Sequence, residues 1–206
     1  MDADGSGQRR LTHTPEAESF FSWSPDGGRI AYTAYDSAYN AKIWVMGADG
    51  TNRKQLASGS LPSWSPDGER IAYTAYSGDR PYLAVMNADG SEQRRLGDVS
   101  LIRRLTGTTA QEEQPVWSPD GQMIAFSSED EGDFYAMKED GSGRARLTDT
   151  QGYDHWPPTW SPEGTRIAFT IENPRRTEIY VMNSDGSGLT RLTDDPGEDF
   201  YPTWRP

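Results

Sequence analysis

The stretch Trp23-Ser24-Pro25-Asp26-Gly27 decides the fold, because the chain repeats it. W-S-P-D-G returns at Trp64–Gly68 and Trp117–Gly121, and W-S-P-E-G at Trp160–Gly164. A fifth copy reads Trp204-Arg205-Pro206. Successive tryptophans lie 41, 53, 43 and 44 residues apart. A period of that size means one supersecondary unit built several times over. Within the motif, proline presets φ and glycine supplies a positive φ, so S-P-D-G reads as a turn.

Outward from that turn, each unit divides into four short strands. Strand A ends at the tryptophan, as in Pro158-Thr159-Trp160. Strand B follows as Arg29–Tyr32, Arg70–Tyr73, Met123–Phe126 and Arg166–Phe169. Its isoleucine and aromatic sit two apart and so share one face of a strand. Strand C is Ile43–Met46, Leu83–Met86, Phe134–Met137 and Ile179–Met182. A D-G pair follows each time, at Asp49-Gly50, Asp89-Gly90, Asp140-Gly141 and Asp185-Gly186, which is a strong hairpin signal. Strand D closes the unit at Gln55–Ala57, Arg104–Thr106, Arg146–Thr148 and Arg191–Thr193. No segment shows a helical period. The pattern predicts an all-β chain, a β-propeller of four-stranded antiparallel blades. The four tryptophans of the complete motifs are expected to be buried between blades.

The phase of the repeat sets the domain organisation. Residues 1–206 read as a single propeller array. Residues 1–12 form strand D of a partial blade, and 13–57, 58–106, 107–148 and 149–193 form four complete blades. Residues 194–206 form strand A of a further partial blade. A closed five-bladed ring would need strands B and C between that final A and the initial D. Two explanations stay open: an excerpt of a longer propeller, or a homo-oligomer in which copies complete one another through unpaired sheet edges. The spacing of 53 reflects a duplicated R-R-L, at Arg94-Arg95-Leu96 and Arg103-Arg104-Leu105, of which the second is taken as strand D.

Composition narrows the function. The 32 acidic and 20 Lys and Arg residues give a net charge of −12, which disfavours nucleic acid and favours cationic partners. Without cysteine there is no disulfide framework, zinc thiolate or thiol nucleophile. No run approaches the ~18 apolar residues of a membrane span, and Met1–Gly5 does not read as a signal region. Hydrophobic residues are only 33%, but 7 Trp, 10 Tyr and 6 Phe can supply a core.

The pattern W-S-P-D-G-x-x-I-A-[YF], then [IL]-[YW]-V-M-N-x-D-G-S-x-x-x-R-L-T, resembles the WD40-like propeller repeat of the TolB family. The resemblance runs through nearly the whole chain. It implies a β-propeller, a protein-binding role and a periplasmic or extracellular setting.

In an up-and-down blade the near-identical A–B and C–D turns lie on one face, and the variable B–C and D–A loops on the other. Variable loops on a rigid scaffold are the usual place for binding. The D–A loops are acidic, and counting five back from each Trp gives Glu18, Gly59, Glu112, His155 and Asp199. These positions are expected to crowd the mouth of a central channel. The candidate ligand-binding set is Glu18, Glu112, Glu113, Asp154, His155, Trp156, Glu198 and Asp199, with Tyr35, Tyr39, Tyr76, Phe20, Tyr153 and Tyr201 nearby. Such a funnel would draw in a cationic segment of a partner protein or peptide. Converging carboxylates would also suit calcium, the one cofactor considered. Asp2-Ala3-Asp4-Gly5 begins like an EF-hand, but the twelfth position is His13 where a glutamate is needed, so a hairpin turn is expected.

An enzyme is not expected. Only His13 and His155 exist to serve a Ser-His-Asp set, and no G-x-S-x-G elbow is present. The leading expectation is a non-catalytic binding module. The alternatives are a metal-dependent or acid–base hydrolase at the channel mouth and a self-assembling structural fragment without a ligand.

Overall fold

The computed structural model describes residues 6–78, 80–96, 111–128, 132–150, 156–173, 176–194 and 197–205. They form four separate four-stranded antiparallel sheets and no helix. The first blade is β1 (Ala17–Trp23), β2 (Arg29–Tyr35), β3 (Ala41–Gly47) and β4 (Lys54–Ser58). The second is β5 (Ser60–Trp64), β6 (Arg70–Ser77), β7 (Arg80–Asn87) and β8 (Arg94–Arg95). The third is β9 (Glu112–Trp117), β10 (Ile124–Ser128), β11 (Asp133–Met137) and β12 (Ala145–Arg146). The fourth is β13 (Thr159–Trp160), β14 (Arg166–Asn173), β15 (Arg176–Asn183) and β16 (Thr190–Arg191). Each sheet has the meander order A-B-C-D of a propeller blade.

One strand assignment needs correction. The fourth strand of the second blade is the first R-R-L copy: Ala84 pairs with Arg95 and Val85 with Arg94. Leu96 then drops into the core and its N–H donates to the Leu83 carbonyl. The nearer copy wins because it follows the Asp89-Gly90 turn without a long loop to close. The second copy, including Arg104–Thr106, lies outside the described residues.

The turns form as the motif requires. Ser24 Oγ donates to Asp26 Oδ1 at 2.5 Å and accepts from the Arg29 N–H at 2.9 Å, while the Gly28 N–H donates to the same carboxylate. Ser65/Asp67 and Ser118/Asp120 repeat this arrangement. The seryl hydroxyls and backbone amides hold Asp26, Asp67 and Asp120 below their ordinary pKa of 3.8. The C–D glycines serve packing as well. Gly186 has φ +85°, and a Cβ there would lie 2.7 Å from the Leu147 carbonyl of the preceding blade. Gly90 sits likewise against Leu56, and Gly50 against Leu11.

The core lies between blades. Each blade turns Trp, Ile and an aromatic toward the blade before it and Ala, Val or another apolar residue toward the blade after it. Trp117, Ile124, Phe126, Tyr135 and Met137 thus pack on Ala72, Leu83, Val85 and Leu96. The joint on either side repeats the pattern, with Trp64 on Ala31, Ile43 and Val45, and Trp160 on Phe134, Ala136 and Leu147. Trp64, Trp117 and Trp160 are 6%, 7% and 8% exposed. Trp23 departs from the expectation at 56%, because no described B and C strands pack against its side of the first blade.

Candidate functional site

Strand A carries a bulge three residues before the tryptophan. Phe20, Leu61 and Gln114 all have φ between +52° and +59°. Pairing shifts register there, between Ser19 and Ser22 and between Ser60 and Ser63. A bulge adds one residue and re-aims those beyond it. Phe20, Phe21, Leu61, Pro62, Pro115 and Val116 consequently line a cavity of about 330 Å³, together with Pro157 and Tyr201. Among the described residues that lining contains no carboxylate.

Two of the carboxylates counted five back from the tryptophans, Glu112 and Glu18, are engaged by neighbouring side chains. Glu112 is 4% exposed and accepts from Arg144 Nε at 3.1 Å, and Arg144 stacks 3.7 Å from the Tyr135 ring centroid. Glu18 accepts from Thr14 Oγ1 at 2.8 Å and Thr12 Oγ1 at 2.5 Å, fixing the segment that leads into the first blade. Arg53 reaches Glu16 at 3.1 Å and lies over the Trp44 ring. Buried Asp133 is held by Arg146 and Thr148, and buried Glu178 by Arg191 and Thr193. Arginines of the D strands and the turns before them therefore neutralise much of the acidity read from the loops. Sequence did not single them out as partners, although R-L-T recurs.

The remaining candidates are dispersed. Glu113 lies half-buried in β9, where its carbonyl accepts from Ser127 Oγ at 3.2 Å. Trp156 meets Tyr201 and Phe200 edge to face, at 4.9 and 5.8 Å between centroids. Glu198 is exposed, and the Asp199 N–H donates to the Thr177 carbonyl at 2.9 Å. Asp154, His155 and Tyr153 lie outside the described residues. Among the described residues no three acidic or histidine side chains converge as a metal ion would require, and no helix is long and apolar enough to cross a membrane.

The structure does bring the loop-face tyrosines together. Tyr35 and Tyr39 line two adjoining clefts of about 450 and 410 Å³. Pro15, Glu16 and Asp36 complete the first, and Lys42, Ser58, Gly59 and Tyr76 help form the second. Asp36 Oδ1 accepts from the Ala38 and Asn40 N–H groups at 2.9 Å, and the Tyr39 N–H donates to the Asp36 carbonyl. These bonds hold the Asp36 carboxyl below its ordinary pKa, the Asn40 amide N–H contributing most. The pinned turn holds Tyr39 at φ +61° with its side chain 86% exposed.

Comparison with known proteins agrees with the blade architecture. The family model for the TolB beta propeller domain matches residues 1–157. The Tol-Pal system protein TolB of Thioalkalivibrio sulfidiphilus (strain HL-EbGR7) is 37% identical over 57 residues, 28% of this chain and 13% of that protein. The crystal structure of TolB from Acinetobacter baumannii superposes with a TM-score of 0.74 at 20% identity, over 93% of this chain and 47% of that one. Putative TolB from Agrobacterium tumefaciens gives 0.71 at 21% identity, over 90% and 83%. This chain therefore spans a small part of its curated relative. With W-S-P-D-G turns, four meander blades and a matching family model over most of its length, the chain belongs to the TolB beta propeller domain family.

Proposed function

We propose that this chain is a non-catalytic binding module that engages a basic segment of a protein or peptide on its variable loop face. The observation that carries the reading is the pair of adjoining clefts built from Tyr35, Tyr39 and Tyr76. Tyrosine supplies rigid, amphipathic contact area with little entropy to lose. Its ring face also attracts cations. The chain uses that chemistry internally, with Arg53 on Trp44, Arg95 on Tyr82 and Arg144 on Tyr135. Tyr39, at 86% exposure, offers its ring to solvent. A net charge of −12 would steer a cationic partner toward the molecule. The curated relative carries the name of the Tol-Pal system, and a periplasmic setting for this chain is part of the proposal.

The test is calorimetric titration with short Lys/Arg peptides and, separately, with calcium chloride. Binding of the peptides, weakened by salt and reduced at least tenfold in Tyr39→Ala, is expected. Silence with every peptide would sink the reading. Heat from calcium alone would replace it with a metal site.

A further inference from the structure

The four blades differ at one position. The residue just before the apolar run of strand C is Lys42, Tyr82, Asp133 and Glu178 in blade order. In matching register the D strands carry Gln55, Arg95, Arg146 and Arg191, opposite Trp44, Ala84, Tyr135 and Tyr180. In the third and fourth blades the D-strand arginine meets the buried carboxylate of strand C. It also meets a second carboxylate three residues further on, Asp149 or Asp194, at 2.8 Å. In the second blade Arg95 lies 4.2 Å from the Tyr82 ring centroid.

The first blade reverses the signs. Strand C supplies the cation, the D strand supplies neutral Gln55, and Ser58 stands where Asp149 and Asp194 stand. Lys42 Nζ donates to the Ser58 hydroxyl at 3.0 Å and joins no ion pair among the described residues. It acts on Asp36 only through space, behind the Asn40 groups that chiefly hold that carboxyl charged. Half-buried Lys42 lines the second loop-face cleft with Asn40, Ser58, Tyr39 and Tyr76. Among the described residues no carboxylate lines that cleft.

The adjoining cleft has the opposite sign. Glu16 and Asp36 line it, and among the described residues no cation does. Glu16 is shared with Arg53, but Asp36 is held by uncharged amides. Tyr35 and Tyr39 belong to both clefts, and Tyr39, so largely exposed, stands between them.

On the loop-face binding reading, we infer that the two clefts are subsites of opposite charge for one extended segment. The first takes its basic side chain, and the second takes an acidic side chain that pairs with Lys42. In an extended chain, side chains two residues apart project from the same side, about 7 Å from each other. The segment therefore reads basic, any residue, acidic, with its backbone crossing the Tyr39 ring. The acid is a side chain rather than a chain end. Lys42 is half-buried beside an exposed ring, so a side chain reaches it while the backbone passes outside. The second subsite sets sequence choice more than strength. An ion pair at a partly solvated site contributes little, but a second basic residue there would face Lys42 and be repelled.

The probes are alanine pentapeptides, acetylated and amidated at their ends, with arginine and glutamate at the second and fourth positions in either order. Matching peptides carry glutamine in place of glutamate. Calorimetric titration of the full chain at low salt should show the better glutamate peptide about threefold tighter than its glutamine counterpart. Lys42→Gln should abolish that ratio. Ser58→Asp should abolish it too, by restoring at an exposed position the carboxylate of the third and fourth blades. Equal affinity for the glutamate and glutamine peptides, both still weakened by Tyr39→Ala, would overturn the charge-ordered pair and leave the loop-face reading standing. A preference that survives both Lys42→Gln and Ser58→Asp would overturn it as well. So would a glutamine peptide that gains as much from a free C-terminus as from glutamate, which would assign the second subsite to a chain end. Silence with every peptide would remove both readings.

Discussion

Trp117 and Trp23 occupy the same place in the repeat, as do Leu147 and Leu192, yet one of each pair is buried and the other is not. Trp117 and Leu147 are 7% and 8% exposed, against 56% and 59% for Trp23 and Leu192. The local sequence and strand geometry are shared, so the difference is the neighbouring B and C strands. A blade is therefore not a stable unit by itself. Its two apolar faces become core only when other blades cover them, as expected for repeats that stack.

The comparison breaks most clearly at tryptophan. Trp117→Ala is expected to cost about 3–5 kcal/mol, the range for deleting a large core side chain, and Trp23→Ala less than about 1 kcal/mol. Equal losses by urea unfolding would show that the joints do not hold the molecule together. Leucine gives a smaller contrast in the same assay. Leu147→Ala should cost about 2–4 kcal/mol and Leu192→Ala within about 0.5 kcal/mol of zero.

Acidic residues sharpen the comparison in a different way. Glu112→Ala strands Arg144 and should cost about 2 kcal/mol, below the range for a fully buried pair because Arg144 is partly solvated. Glu198→Ala should change stability by less than about 0.5 kcal/mol. If the two matched, Glu112 would be freed for a role at the loop face. The smallest effect concerns the turns. Asp67 and Asp120 have pKa values lowered from 3.8 by seryl hydroxyls and backbone amides. A depressed carboxylate stabilises the fold above its unfolded pKa, and that contribution is lost as pH falls through the folded value. Unfolding midpoints should therefore fall as the pH drops below about 4. The gap between pH 7 and pH 3 should narrow in a doubly substituted Asp67→Asn, Asp120→Asn chain.

Much of the fold was legible because its signals are local. Ser-Pro-Asp-Gly fixes a turn through bonds within five residues, and Ile71 and Tyr73 share a face through strand geometry alone. The choice between two R-R-L copies was not legible, because only pairing with Ala84 and Val85 distinguishes them. The candidate site was legible as a face rather than as a set. Tyr35, Tyr39 and Tyr76 were placed near it and do converge. Glu112 meets Arg144, a partner 32 residues further along the chain that counting back from the tryptophans does not register.

By itself, the sequence determined the repeating unit, its turns and the two sides of each strand, all set by contacts a few residues apart. The tertiary structure decided which of the equivalent residues are core and which carboxylates are neutralised by arginine. Those outcomes depend on what lies across a joint or beyond a bulge, and identical motifs cannot encode different neighbours.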